Sequence, residues 1–120
     1  VGYPKTRESH VGDMVSFVST DRETLGLYRG IRVGKIVKAQ AGDWVVSDAR
    51  GVFINGVFIA SRNPISLDKL KTLKVTPINM NRVLKPGELF LMGTLPRSFD
   101  SRYWGVVNES VIDRFLKAVV

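Results

Sequence analysis

The sequence predicts a mainly β fold built from antiparallel strands, with little helix. Short runs of β-branched and aromatic residues recur along most of the chain. Turn signals separate these runs at Ala41-Gly42-Asp43, Asn55-Gly56 and Pro86-Gly87. One stretch, close to the C-terminus, shows apolar residues at helical spacing. The 120 residues, 44% of them hydrophobic, suffice for one packed core, so we expect residues 1–120 to form a single domain.

The first half of the sequence indicates short strands separated by polar residues and turns. Residues 1–11 carry Gly2, Pro4 and mixed charges, which indicates an irregular lead-in. Strands are then predicted for residues 14–19, 31–38 and 44–46. Residues 52–54 and 57–59 flank Asn55-Gly56, and because both turn residues tolerate positive φ, this pattern predicts a β-hairpin with a type I′ turn.

The second half contains one ambiguous segment and a predicted terminal helix. After Asn63-Pro64, leucines and lysines mix up to Lys74 with a periodicity that fits a short helix or a strand, and both remain open. Strands are predicted for residues 88–93 and 103–107. Apolar residues at 111, 112, 115 and 116 then predict a short amphipathic helix capped by Asn108 or Ser110.

Composition restricts the chemistry that the chain can perform. The absence of cysteine excludes disulfides, thiol catalysis and cysteine-based metal sites. The single histidine, His10, provides no zinc-binding cluster, and we expect no cofactor. A hydrolase of this sequence would therefore use a base other than histidine. The formal net charge of +7 favours an anionic neighbour, either nucleic acid or a phospholipid surface.

The most informative residues for chemistry lie between Ser98 and Arg102. If this stretch is extended, Ser98, Asp100 and Arg102 share one face, which places a hydroxyl beside a carboxylate neutralised by a guanidinium. A loop with a solvated ion pair fits the same spacing. Spacing alone leaves both interpretations open.

Residues 96–105, Pro-Arg-Ser-Phe-Asp-Ser-Arg-Tyr-Trp-Gly, resemble the last motif of signal peptidase I. The version in this sequence is most similar to that of the conjugative-transfer, TraF-type pilin peptidases. Housekeeping signal peptidases have Gly-Asp-Asn-Arg where this chain has Gly93-Thr94-Leu95-Pro96, which favours the specialised branch. The resemblance implies antiparallel β-sheets of the signal peptidase type.

A second box supports this resemblance and provides the expected base. Residues 35–43 resemble the family's Lys-Arg-Val-x-x-x-Pro-Gly-Asp box, with Ile36 and Ala41 as departures, and place the catalytic lysine on Lys35. Lys38 is the alternative, but it is out of register. On a strand, Lys35 shares a face with apolar neighbours, and desolvation there would lower its pKa. A solvent-exposed lysine is the simpler alternative.

The resemblance assigns four roles within this sequence. Lys35 would be the general base, Ser98 would orient its amine, Asp100 would support this pair, and Arg102 would pair with Asp100. The family's Ser-x-Pro nucleophile box should precede Gly12, but residues 1–11 do not contain it. We therefore expect the nucleophilic serine and the membrane anchor to lie upstream, with the 120-residue fragment inactive by itself; Ser9 is the alternative nucleophile.

The resemblance implies a serine/lysine peptidase at the periplasmic face of the inner membrane. It would cleave exported precursors after small residues, conjugative pilin above all, with cyclisation as a further outcome. In this interpretation the partners are the precursor peptide and the membrane surface, and nucleic acid is not expected. Two alternatives remain: a peptide-binding pseudoenzyme that lacks the serine, and a basic β-barrel that binds nucleic acid.

Overall fold

A computed structural model of the chain describes residues 2–62, 76–94 and 98–117. It is mainly antiparallel β-sheet, as predicted. The strands are β1 (Gly2–Pro4), β2 (Met14–Val18), β3 (Arg32–Ala39), β4 (Trp44–Asp48), β5 (Gly51–Ile54), β6 (Val57–Ala60), β7 (Met80–Val83), β8 (Glu88–Met92), β9 (Val107–Asn108) and β10 (Arg114–Leu116). A short helix, α1, spans Ser101–Trp104, and a 3₁₀ turn spans Glu109–Val111.

The described strands form two sheets. The first has the order β1-β10-β2-β3-β8-β9 and the second the order β6-β5-β4-β7. Each sheet covers its own hydrophobic cluster. The first cluster includes Val15, Phe17, Val37 and Leu91, and the second includes Val45, Val52 and Phe90.

Strands β3 and β8 contribute to both clusters. Along β8, Leu89 and Leu91 belong to the first cluster, while Phe90 and Met92 belong to the second, because side chains alternate along a strand. In β3 the pairing register shifts between Val37 and Ala39, which indicates a bulge. The two strands therefore fix the sheets relative to each other at the position where the candidate site forms.

The predicted hairpin is confirmed. β5 and β6 pair antiparallel, with Ile54 opposite Val57. Asn55 and Gly56 have φ angles of 52° and 83°, as a type I′ turn requires. The strands predicted for residues 14–19, 31–38, 44–46 and 88–93 are also present, within two residues at each end.

The predictions for the chain ends are corrected. Gly2–Pro4 are not an irregular lead-in, since they form an edge strand beside β10. The terminal helix predicted across residues 111–116 is wrong, because β10 begins at Arg114 and lies between β1 and β2. Strand pairing on both sides satisfies the backbone of this segment, and Phe115 enters the first cluster. Asn108 does act as a cap, but for the 3₁₀ turn, where its side chain accepts the Ser110 N–H.

The strand predicted for residues 103–107 is also wrong. Residues 101–104 form α1, which Gly105 ends at a φ of 81°. Strand β7 was not predicted from the sequence. The ambiguous segment between Asn63 and Lys74 lies outside the described residues. Within the described ranges, no helix is long and apolar enough to cross a membrane.

Candidate active site

Lys35 projects from β3 into a cleft that the segment after β8 closes. Its amine lies 5.8 Å from the centroid of the Trp104 ring. A methyl group built on Gly93 would overlap Ser98 Oγ and would lie 3.2 Å from Lys35 Nζ. Ser98 Oγ and Lys35 Nζ therefore both lie beside the Cα atom of Gly93, which carries no side chain. The structure brings together Lys35 and Ser98, although 63 positions separate them in the sequence.

The environment of Lys35 favours the neutral amine. The side chain is half-buried, and burial lowers its pKa below the ordinary lysine value. The Asp100 carboxylate opposes this effect by raising the pKa, while the positive charge of Arg102 lowers it further. Desolvation is the largest of these effects, so the net direction is downward.

Asp100 and Arg102 form a buried ion pair behind this amine. Arg102 Nε donates to Asp100 Oδ1 at 2.8 Å, and Arg102 Nη2 donates to Asp100 Oδ2 at 2.7 Å. The second carboxylate oxygen also accepts the Gly93 N–H at 3.0 Å. Asp100 therefore fixes the Gly93 backbone, beside which Ser98 Oγ and Lys35 Nζ both lie.

Arg102 extends this network to the second sheet. Its guanidinium donates to the carbonyl oxygen of Ser61 at 3.0 Å and to that of Ser98 at 3.2 Å. Ser101, which is fully buried, accepts the Leu91 N–H on its Oγ at 2.9 Å. The residues around Ser98 are therefore fixed to β8 and to the end of β6.

The predicted extended face of residues 98–102 is wrong in detail. Asp100 is extended, but it caps α1 by accepting the Arg102 N–H at 3.1 Å, and the chain becomes helical from Ser101. The three polar residues therefore do not alternate along a strand. They still meet, because the Arg102 side chain turns back onto Asp100 and reaches the Ser98 carbonyl oxygen.

The two alternative site residues lie outside this arrangement. Ser9 lines a different cleft, with Gln40 and Glu88, and its N–H donates to Glu109 Oε1. Among the described residues that line the cleft around Lys35, Lys38 is not present. Neither Ser9 nor Lys38 is therefore among the described residues that line the cleft with Lys35.

Sequence reasoning missed several residues that shape the site. Gly93 has no side chain, and this leaves room for Ser98 Oγ and Lys35 Nζ beside its backbone. The cleft itself has a volume of about 280 Å³, and Tyr28, Phe99 and Trp104 provide its aromatic lining. Phe99 and Trp104 belong to the recognised motif, which was a usable signal, but no local pattern associates Tyr28 with it.

One edge of β3 is open at this cleft. β2 pairs with β3 from Arg32 to Ile36, whereas β8 pairs with it only from Ile36 to Ala39. Within the part of the chain that the structure describes, residues 32–35 therefore have no strand on the β8 side. Unpaired backbone groups at such an edge can bind an extended peptide.

Comparisons with known proteins agree with this fold. Residues 2–117 match the family model described as "Signal peptidase, peptidase S26". The crystal structure of a signal peptidase I from Enterococcus faecalis V583 aligns with 25% sequence identity and a TM-score of 0.57, covering 94% of this chain and 100% of that chain. No curated protein matches the chain significantly.

The β fold and these matches define the class of protein as a serine peptidase of the signal peptidase type. The chain belongs to the signal peptidase family, peptidase S26.

Proposed function

We propose that the protein to which this domain belongs cleaves exported precursor proteins, with Lys35 as the general base. The observation that carries the proposal is the half-buried Lys35 amine beside Ser98, at a position where burial lowers the lysine pKa. A neutral amine can accept a proton near neutral pH, whereas an ordinary lysine is protonated there. The lowered pKa supports this role, because it shifts the amine toward the neutral form that serine/lysine catalysis uses.

In the proposed mechanism Ser98 orients the amine, and the nucleophilic serine of the family's Ser-x-Pro box, which the resemblance places before Gly12, attacks the substrate. Lys35 accepts the proton of the attacking hydroxyl as its oxygen bonds to the substrate carbonyl carbon. The protonated amine then returns the proton to the leaving nitrogen as the peptide bond breaks. Water, activated by the same amine, hydrolyses the resulting ester and restores the serine.

Asp100 and Arg102 have positioning roles in this proposal. The Asp100 carboxylate holds the Gly93 N–H, and Arg102 holds the Ser98 carbonyl oxygen. These two hydrogen bonds restrain the backbone at Gly93 and at Ser98, beside the Lys35 amine. Asp100 raises the pKa of Lys35 while Arg102 lowers it, so the two members of the pair have opposing effects on the amine.

The substrate that we propose is an extended segment of an exported precursor. The open edge of β3 can pair with its backbone beside Lys35. The resemblance of residues 96–105 to the TraF-type motif favours a conjugative pilin, processed at the periplasmic face of the inner membrane. If a pilin amine replaces water at the ester, the product is cyclic.

The test is pilin-precursor processing in cells that carry the complete gene. We expect Lys35→Ala to abolish processing and the matched Lys38→Ala variant to process normally. Full processing by Lys35→Ala would overturn the mechanism. A wild-type protein that binds the precursor but leaves it uncut would instead indicate a peptide-binding pseudoenzyme.

A further inference from the structure

Trp104 is the aromatic neighbour of the Lys35 amine. Lys35 Nζ lies over the Trp104 ring, 5.8 Å from the ring centroid, and both residues line the cleft. The face of an aromatic ring attracts a cation within about 6 Å, and tryptophan attracts it most strongly. A neutral amine carries no charge for the ring to attract. The contact therefore favours the protonated form of Lys35 over the neutral form.

The Trp104 ring is held in this position by other rings. Phe17 packs against it edge to face with the centroids 6.4 Å apart, and Phe99 does so at 5.5 Å. Phe17 is fully buried and belongs to the first hydrophobic cluster, against which Trp104 packs. The Trp104 N–H also donates to the Asp100 carbonyl oxygen at 3.1 Å, at the end of α1. The ring is therefore in place before Lys35 becomes charged, and no rearrangement is needed when it does.

Two charged groups behind the amine act on Lys35 in opposite directions. The Asp100 carboxylate favours the protonated amine, whereas Arg102 and burial disfavour it. Both oxygens of Asp100 already accept hydrogen bonds from Arg102. The carboxylate therefore offers the ammonium a partly neutralised charge, and burial remains the largest effect.

Within the described lining of the cleft, the Trp104 ring is the group that contacts the amine and favours its charged form. The other titratable side chains there are Tyr28 and Arg32, and the described lining has no carboxylate. Arg32 is itself positive and donates to both carboxylate oxygens of Asp113. An ammonium at Lys35 therefore depends on the ring for stabilisation from the side of the cleft.

We infer that Trp104 is a positioning residue whose ring face stabilises the ammonium form of Lys35 during the reaction, an inference that rests on the proposed function. Lys35 becomes an ammonium when it accepts the proton of the attacking hydroxyl, and it becomes neutral again when it gives that proton to the leaving nitrogen. The ring exchanges no proton and forms no bond in either step. It lowers the energy of the charged state between the two steps, while burial favours the neutral amine before and after them.

The pKa of Lys35 in tryptophan variants tests the inference, because the sign of the shift separates two roles. Carbon-13 at lysine Cε reports the amine, and Lys35→Met identifies its resonance. If the ring face stabilises the ammonium, Trp104→Leu should lower the Lys35 midpoint by about one unit and Trp104→Phe by about half as much. If the ring only shields the amine from water, Trp104→Leu admits water and raises the midpoint.

The matched control is Trp44→Leu, which removes the second tryptophan of the chain, outside the described lining of the cleft. This variant should leave the Lys35 midpoint unchanged. An unchanged or higher midpoint in the folded Trp104→Leu variant would overturn the inference.

Fluorinated tryptophan weakens the attraction without changing the shape of the cleft. Fluorine withdraws electron density from the ring face, which reduces its attraction for a cation. In a Trp44→Phe background, Trp104 is the one remaining tryptophan of the chain, so incorporation acts at a single site. The Lys35 midpoint should fall stepwise as the number of fluorines increases. A midpoint that is the same for all fluorinated forms would overturn the inference even if Trp104→Leu does not fold.

Cleavage by the complete protein separates this inference from the proposed function. Trp104→Leu should lower kcat by about tenfold with little change in KM and should shift the acid limb of the pH–rate profile to lower pH. Trp104→Phe should restore part of the rate. If the Lys35 midpoint falls in Trp104→Leu but the wild-type protein cleaves no precursor, the ring contact is supported and the proposed catalysis fails. If the protein cleaves precursor and the midpoint does not fall, the inference is overturned and the proposed catalysis stands.

Discussion

Two Asp-x-Arg sequences in this chain adopt the same local geometry with different consequences. In both, the arginine N–H and Nε donate to one carboxylate oxygen and Nη2 donates to the other, between Asp48 and Arg50 and between Asp100 and Arg102. The Asp48 and Arg50 side chains are 30% and 74% exposed, whereas those of Asp100 and Arg102 are 0% and 2% exposed.

The difference between the two pairs lies in what surrounds them. Arg50 lies over the Phe53 ring at 5.6 Å, at the end of the β4–β5 turn. Arg102 instead donates to two backbone carbonyls, and Asp100 accepts the Gly93 N–H. The same Asp-x-Arg spacing therefore gives a contact within a turn at Asp48 and Arg50, and supports the candidate site at Asp100 and Arg102. The two pairs differ because only the second is enclosed by other strands.

Removing one partner of each pair should produce the largest contrast. Asp100→Ala leaves the Arg102 guanidinium buried without its counter-charge, which costs about 3–5 kcal/mol of unfolding free energy. Asp48→Ala should leave the unfolding free energy almost unchanged, since water solvates Arg50. Urea denaturation of both variants measures the difference. Equal losses in the two variants would show that burial does not distinguish the pairs.

Two glycines beside these pairs sharpen the comparison. A methyl group on Gly93 would overlap Ser98, and one on Gly51 would lie 2.7 Å from the Phe58 ring and 2.9 Å from the Ala60 carbonyl oxygen. Each Gly→Ala substitution should therefore destabilise the fold by about 1–3 kcal/mol. Only Gly93→Ala should also reduce processing, by about 100-fold, because it displaces Lys35 from Ser98. Normal processing by a folded Gly93→Ala variant would contradict the proposed site.

Two serines near these pairs provide a smaller contrast. Ser47 is fully buried and its Oγ has no hydrogen-bond partner, so Ser47→Ala should leave the protein as stable or slightly more stable. Ser98→Ala should reduce processing by about 100-fold with little change in substrate KM, since an orienting hydroxyl acts on the chemical step. Ser98→Thr should restore part of the rate. Complete loss with no recovery in Ser98→Thr would indicate that Ser98 is the nucleophile.

The smallest expected effect concerns the stability of the domain as pH changes. Because burial lowers the pKa of Lys35, the unfolded chain binds more protons than the folded chain between the lowered pKa and the ordinary value of 10.5. Unfolding free energy therefore rises with pH across this window. Lys35→Met should be more stable than the wild type at neutral pH, with an advantage that shrinks as pH approaches 10.5.

The control for this measurement is Lys38→Met, which removes one positive charge from the same strand outside the cleft. Thermal unfolding at several pH values provides the comparison. A constant difference between Lys35→Met and the wild type at all pH values would contradict a perturbed Lys35.

Local sequence signals predicted the parts of the fold that depend on neighbouring residues. Asn55-Gly56 specified its hairpin because the turn requires positive φ at both positions. The apolar spacing around Phe115 suggested a helix, yet β1 and β2 pair with this segment instead. Local periodicity does not report backbone partners that lie about a hundred positions away, so β1 and β10 could not be predicted.

The candidate site was predictable as a set of residues but not as an arrangement. The two motifs identified Lys35, Ser98, Asp100 and Arg102. The space at Gly93 and the ring of Tyr28 depend on how β3, β8 and the loop after β2 pack together, which no single motif encodes. The helical start at Ser101 also depends on the cap formed by Asp100.

The most direct test is a titration of the Lys35 amine itself in the folded domain. Carbon-13 at lysine Cε reports the protonation of each amine by NMR, and the Lys35→Met variant identifies the Lys35 resonance. We predict a Lys35 midpoint clearly below the ordinary lysine pKa of about 10.4, because burial lowers it. A Lys35 resonance that titrates at the ordinary lysine value in the folded protein would contradict the account.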